Sequence, residues 1–524
     1  MMQKLKDLPF HFPVLASIVM GVISAYAMAP ATFWPALLIG FSMMVLIMGK
    51  LTNPWKGAWC VFAYGMAYFT ISLWWVANAL MIDIETYWWA MGFAILGLPL
   101  LLSLLWFVCG WVVVRFSRPE SFHRAIFFIS LLALAEYGRA FNLTGFPWNL
   151  MGYAWINVPA LPQLSALGGA YFVTIVTLYW MAVPAFMVYA RGNKKLRIGI
   201  MAALVVSVGG SFAYGGMRLS NHPTTYRKDT VAVIVQPNVR PEDKMENTNR
   251  EAIFAMQVAL SEKGLKEVVA TPELETVTVV WPETALDESL VDAIPDVSKA
   301  LAGMMSGKPY KIELVTGMWR EGAPKADGRP SYYNSIALVG EKDGKVTIDD
   351  MYDKHHLVPF GEFLPMEQTL GLTPLVGFAG FAWGTGPKVL STPGVPPVSP
   401  MICFEAIFPW YGKSEGAEWL VNTSNDGWYG DTPGPYQHLA MTQYRAIEQG
   451  KPIMRSATTG ISAVIDSYGR VLKGLPYYEQ GYIVSEFPQD IQGGTMYTRF
   501  GESLFFLTIG LGLAVFLRLK QRKI

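Results

Sequence analysis

Three short stretches carry side chains that could do covalent chemistry. In Pro400-Met401-Ile402-Cys403-Phe404-Glu405-Ala406-Ile407-Phe408-Pro409, an apolar, strand-like run delivers one cysteine to a turn, with a carboxylate two residues on. A thiol with its ordinary pKa of about 8.5 is mostly protonated at neutral pH, so Cys403 needs a base before it can attack efficiently. The plainer reading is a small buried hydrophobe. Cys60 and Cys109 lie in long apolar segments, so no disulfide framework is available. In Val279-Val280-Trp281-Pro282-Glu283-Thr284, proline stops an apolar run and leaves Glu283 in a turn at the carboxyl end of a strand; a solvated loop glutamate is the alternative. The third stretch, Tyr352 to Glu362, crowds Asp353, Lys354, His355, His356 and Glu362 into an aromatic loop punctuated by Pro359 and Gly361.

Positioning such groups takes a scaffold, and composition puts part of it in lipid. The 524 residues are 52% hydrophobic and 15% charged, too apolar for an ordinary soluble protein of this size. Net charge is +1 with neither a basic stripe nor an acidic tail, which argues against nucleic acid as a partner. Residues 1–218 read as a domain of seven transmembrane helices near 12–29, 31–49, 57–79, 88–114, 124–140, 164–190 and 197–216. Residues 500–524 add a C-terminal helix, near 501–518, and a basic tail. Lys4, Lys6 and the Ala27-Met28-Ala29 sequence resemble a cleavable signal, but Pro30 follows directly and the segment reads as a span. Basic residues such as Lys50, Lys56, Arg115, Arg118, Lys194, Lys195 and Lys520 fall on one set of connections, while Arg139 is the only one in the loops on the other side. The positive-inside rule therefore places residues 219–499 outside the cytoplasm. There, strand-like runs at 230–236, 276–281, 312–318, 335–339, 398–404, 419–422 and 462–466 alternate with helix-like stretches at 249–262, 290–305 and 436–450. That alternation predicts one α/β domain, a four-layer αββα sandwich. Trp74, Trp75, Trp88 and Trp89 near Asp83 read as an aromatic belt at the lipid interface.

Trp281-Pro282-Glu283, the Tyr352 to Glu362 loop and Cys403-Phe404-Glu405, in that order, resemble the Glu-Lys-Cys signature of the nitrilase superfamily of carbon–nitrogen hydrolases. Helices before and after that domain, with Leu143-Thr144-Gly145-Phe146-Pro147-Trp148-Asn149 in an outer loop, narrow the resemblance to the apolipoprotein N-acyltransferase family. The resemblance implies that Glu283 is the general base, Lys354 the oxyanion partner and Cys403 the residue that carries an acyl group as a thioester. Glu362 and Glu405 match supporting acidic positions. Asn334 and Trp428, the latter in the Asn425-Asp426-Gly427-Trp428-Tyr429 loop, are assigned to the substrate-contacting wall. The implied donor is a membrane phospholipid, and the acceptor is the α-amine of a diacylglyceryl-modified apolipoprotein. No cofactor is expected, and His355, His356 and His438 are read without a metal. The expected setting is the bacterial inner membrane, with the catalytic domain periplasmic and the chain monomeric. A tethered amidase that resolves its thioester with water is the rival reading, and a non-catalytic scaffold is disfavoured by the complete triad.

Some positions depart from the family pattern. Phe404 stands where tyrosine is common, Gln236-Pro237-Asn238 replaces Gln-Gly-Asn, and Met245 occupies the region of an expected tryptophan. Leu370 to Trp383 is apolar but broken by Gly371, Gly377 and Gly380, which makes it a poor helix or strand. It reads either as core or as a lid in which Phe378, Phe381 and Trp383 touch lipid.

Overall fold

The computed structural model describes residues 9–245, 249–288, 295–324, 330–363, 380–413 and 415–521. The chain divides into two compact units, Met1–His222 with Thr495–Ile524, and Pro223–Gly494.

The first unit is helical. Its longer helices are α1 Pro13–Ala25, α2 Trp34–Lys50, α3 Pro54–Leu73, α4 Met91–Phe116, α5 Phe122–Gly138, α6 Ser165–Met181, α7 Val183–Tyr189, α8 Lys194–Ser220 and α12 Ser503–Gln521. Helices α3, α4, α8 and α12, of 20, 26, 27 and 19 residues, have the length that crossing a hydrocarbon core requires. The expected sixth span is divided, because Gly168 and Gly169 leave helical geometry and α7 begins beyond Ala182. The connection near Asp83 is also helical, with 3₁₀ turns at Trp74–Asp83 and Trp88–Ala90. Trp74, Trp88 and Trp89 are exposed, as a belt requires, but Trp75 is buried against Trp148 at a ring separation of 4.9 Å. Arg139, at the end of α5, pairs with Glu136 at 2.7 Å, and Trp106 Nε1 donates to the same carboxylate at 2.9 Å. The guanidinium also donates to the Phe146 and Trp148 carbonyls at 2.9 and 3.3 Å, so a fully buried ion pair pins the 143–149 loop. Tyr68 Oη adds a bond to the Asn149 carbonyl at 2.9 Å.

The second unit is the expected αββα sandwich. Its first sheet contains β1 Tyr226–Gln236, β2 Thr276–Val280, β3 Leu286–Asp287, β4 Lys311–Gly322, β5 Ser331–Lys342, β6 Lys345–Asp353 and β13 Gly481–Pro488. The order is β13-β1-β2-β4-β5-β6, with β3 against β4. The second contains β7 Leu390–Thr392, β8 Val395–Ile402, β9 Trp419–Ser424, β10 Ile453–Ala457, β11 Ser462–Ile465 and β12 Val471–Leu475, ordered β12-β11-β10-β9-β8-β7. Ala232, Ile234, Val280 and Val315 of one sheet pack on Val398, Ile402, Trp419 and Met454 of the other. Helices α9 Arg250–Glu267 and α10 Pro295–Met305 cover the outer face of the first sheet through Phe254, Leu260, Leu301 and Met304. Helix α11 Pro433–Gln449 lies against the second sheet, where Arg455 of β10 donates to Thr442.

The β-branched run Thr-Val-Thr-Val-Val makes β2 a fully buried strand, parallel to both β1 and β4. Beyond it, the Pro282–Glu283 turn lies against Gly317 of β4. Gly317 N donates to the Pro282 carbonyl at 3.1 Å, and a Cβ at 317 would stand 2.3 Å from that oxygen and 2.6 Å from Glu283 Cα. Only glycine lets the turn sit so close. Gly317→Ala should therefore lower stability by about 1–3 kcal/mol and slow the reaction by displacing Glu283. A thermal melt and an activity assay on the same preparation check both effects.

Candidate active site

The candidate side chains stand where strands end. Glu283 follows β2, Lys354 follows β6, Cys403 follows β8 and Asp426 follows β9. Asn334 lies within β5, where its carbonyl accepts from Lys354 N at 2.8 Å.

Lys354 is 1% exposed, and an ammonium so deeply buried needs partners. Its Nζ donates to Glu362 Oε1 at 2.8 Å and lies 3.7 Å from Glu283 Oε1. Burial alone would lower its pKa, but Glu362, then Glu283, then Cys403 hold it above the ordinary lysine value, so the side chain is a permanent cation at neutral pH. The carboxylates are themselves satisfied. Asn334 Nδ2 donates to Glu283 Oε1 at 2.7 Å and to Glu362 Oε1 at 3.0 Å, and Val358 N donates to Glu362 Oε2 at 2.8 Å.

Cys403 opens a short 3₁₀ turn with φ of +46°, a region costly for a residue with a side chain. Surrounding bonds hold it there. Glu405, fully buried, accepts from Ile402 N at 2.8 Å, from Tyr352 Oη at 2.7 Å and from His355 N and His356 N at 2.9 and 3.1 Å. Burial pushes the Cys403 thiol up to about 12; Glu283 adds to this, Lys354 opposes it, Asp426 adds again and Ser424 opposes. The resting group is thus a neutral thiol beside a carboxylate and a cation.

The supporting and wall residues divide. Phe404 packs on His356 and Phe408 at ring separations of 5.8 and 5.3 Å. Trp428 is partly buried in the 3₁₀ turn Asp426–Tyr429. Phe381 is buried and its N donates to the Glu362 carbonyl at 2.9 Å, whereas Trp383 is 50% exposed with its ring 4.8 Å from Phe363. Phe378 and most of the 370–383 stretch lie outside the described residues.

Other groups at the site were not evident from sequence. Lys244, half-buried, donates to the Glu283 carbonyl at 2.7 Å; burial pulls its ammonium down to about 8 against the pull of Glu283 and Cys403. Its partner is a backbone atom, which no motif advertises. His438 places Nε2 3.0 Å from the Cys403 carbonyl and Nδ1 2.9 Å from Asp426 Oδ1, and Arg455 Nη2 donates to Asp426 Oδ2 at 2.5 Å. His355 and His356 turn elsewhere, to the Gly384 carbonyl at 2.6 Å and onto the Phe408 ring at 4.0 Å.

Burial would raise the Asp426 carboxyl, but Arg455, then His438, hold it well below the usual carboxylate range. A depressed folded pKa contributes stability above the unfolded value near ~3.9, and that contribution is lost as pH falls toward the folded one. Unfolding midpoints should therefore drop as pH falls below about 4. Arg455→Met leaves Asp426 buried without its guanidinium and should cost about 3–5 kcal/mol at neutral pH. Denaturation of the variant over the same pH range should also show a weaker acid dependence.

Comparison with known proteins follows the same division of the chain. Residues 230–493 match the carbon–nitrogen hydrolase model, and residues 20–183 match the apolipoprotein N-acyltransferase N-terminal domain. The chain is 35% identical to apolipoprotein N-acyltransferase of Allorhizobium ampelinum, over 89% of this chain and 88% of that protein. It is 33% identical to the protein of that name from Caulobacter vibrioides, over 99% and 97%. Among solved structures, an amidase from Nesterenkonia is 17% identical, over 51% of this chain and 94% of the amidase, with a TM-score of 0.35.

Proposed function

The chain belongs to the apolipoprotein N-acyltransferase family, and from that premise we propose a two-step acyl transfer in which Glu283, Lys354 and Cys403 do the chemistry. The observation that carries the assignment is the buried Lys354, held between Glu362 and Glu283 and acting electrostatically on the Cys403 thiol. In the first step Glu283 takes the Sγ proton as sulfur attacks the ester carbonyl of a phospholipid. A carbon–sulfur bond forms and the carbonyl electron pair moves to oxygen, where the Lys354 ammonium stabilises it. The tetrahedral adduct collapses, and the lysophospholipid leaves with the proton that Glu283 held. In the second step the α-amine of a diacylglyceryl-modified N-terminal cysteine attacks the thioester. Its proton passes to Glu283 and then to the departing sulfur, leaving an amide and the original thiol.

Glu362 and Asn334 orient the lysine and the base, and Glu405 holds the turn that presents the sulfur. Trp428 is read as part of the pocket wall and Phe404 as a support beside the nucleophile, while exposed Trp383 is the described residue left to touch lipid. Both substrates are lipids, which accounts for a catalytic unit whose chain continues at either end into an apolar helix, Lys194–Ser220 and Ser503–Gln521. The distribution of basic residues supports a periplasmic catalytic unit on the bacterial inner membrane. We read the working unit as a monomer.

Incubation with phospholipid and no amine should yield one acyl group per protein by intact mass, with lysophospholipid released once. Continuous release without acceptor would favour the hydrolytic rival. Cys403→Ala should abolish the adduct, and Glu283→Gln should block its formation. Lys354→Met should slow it by about a hundred- to a thousand-fold; near-normal acylation by that folded variant would remove the lysine from the mechanism.

A further inference from the structure

One side chain within reach of the reacting sulfur has no role in the steps above. Tyr429 Oη is 3.9 Å from Cys403 Sγ. Phe404, next to the nucleophile, has no hydroxyl, and its ring packs on His356 and Phe408. The Ser424 hydroxyl also bears on the thiol, but its proton is directed to Asp426 Oδ1 at 2.7 Å. The phenol is held in place from several sides. Its 3₁₀ turn begins at Asp426, which is anchored by Arg455 and His438, and Asn425 caps the turn by accepting from Gly427 N at 3.3 Å. The Tyr429 carbonyl accepts from Thr432 Oγ1 at 2.7 Å, and its ring stands edge-on to His438 at 5.9 Å. A donor fixed in this way need not be ordered during the reaction.

We infer that Tyr429 is a further catalytic residue, whose O–H donates a hydrogen bond to Cys403 Sγ as the thiolate forms and keeps its own proton throughout. The inference rests on Cys403 being the nucleophile. The sulfur's proton goes to Glu283 and its electron pair forms the bond to the acyl carbon; the phenol supplies neither. A separation of 3.9 Å is long for a neutral pair, and such a contact shortens as charge develops on the acceptor. Burial, then the charges of Cys403 and Asp426, hold the phenol well above its ordinary value, so it stays a donor at working pH. The ionisable groups bearing on the sulfur are Glu283, Lys354, Asp426, Lys244 and Tyr429, while His438 bonds to the carbonyl of the same residue. Of these, only Tyr429 offers a neutral donor that can be deleted by removing a single oxygen.

The test uses the full chain in detergent, with iodoacetamide alkylation mapped to the Cys403 peptide across pH and acyl-enzyme formation followed in parallel. In Tyr429→Phe, a donor to a charged acceptor is lost, so Cys403 alkylation at pH 8 and acylation should each slow roughly ten-fold. The unfolding midpoint should stay where it was. Installing 3-fluorotyrosine at 429, a stronger donor of nearly the same shape, should raise the alkylation rate at pH 8, and decides the matter if Tyr429→Phe does not fold. An alkylation profile that moves in neither variant overturns the inference, even if acylation slows. If wild-type Cys403 is alkylated but never acylated, the assignment of the nucleophile fails instead.

Discussion

Burying an ammonium ion is the constraint on which the rest of the site depends. Lys354 is almost fully removed from water, and removing a lone cation costs several kcal/mol unless carboxylates and hydrogen bonds replace its hydration. The replacement cannot come from one strand. Glu362 lies on the loop beyond β6, Glu283 beyond β2, and the amide that bonds to both carboxylates sits on β5. Strand β4 lies between β2 and β5, and the bare backbone of Gly317 is what allows the Glu283 turn to sit against it. The order of the first sheet and the lysine's charge are thus two statements of one requirement.

A second charge cluster does comparable work on the other sheet. Cys403 adopts a left-handed φ, which costs of order 1–3 kcal/mol and persists only where its surroundings over-determine it. Ile402 N is fixed by Glu405, and the Cys403 carbonyl by His438, which is itself held by Asp426 and Arg455. The left-handed turn is therefore tied on both sides to buried charge. Inter-sheet packing of Val280, Ile402 and Cys403 brings the base's strand and the nucleophile's strand into one core.

How much of this was legible follows from where the information sits. Glu283, Lys354 and Cys403 stood out because each ends an apolar run or lies in a distinctive loop, while their roles came from the resemblance; seven of the strands were visible as apolar stretches. β6 was not, because Lys345, Asp349 and Asp350 break any apolar alternation along it. β10 was missed for a related reason, as Arg455 stands mid-strand with its guanidinium spent on Asp426 and Asn422. His438 was read without a metal and without a role, because its partners, a backbone carbonyl and an aspartate 12 residues away, become neighbours only in the fold. Trp75 was assigned to a lipid belt with its neighbours, since composition cannot tell an exposed ring from one buried against Trp148.

The resting thiol's high pKa constrains how the reaction can begin. Burial, then the Glu283 carboxylate, hold the Cys403 thiol well above its ordinary value, so the resting sulfur keeps its proton at pH 7. In the mechanism proposed above, proton transfer to Glu283 therefore accompanies the attack of sulfur on the ester. The same surroundings act in the opposite sense on the product of that step. A thioester carries no charge, so neither burial nor the neighbouring Glu283 and Asp426 work against it as they do against the thiolate. Desolvation that disfavours the free anion then favours the acyl-enzyme, and it also excludes the water that would hydrolyse it. In the proposed second step the amine brings its own lone pair to the thioester and gives up a proton to Glu283. On that proposal, the environment that makes the sulfur reluctant to ionise is the one that lets it hold an acyl group between two substrates.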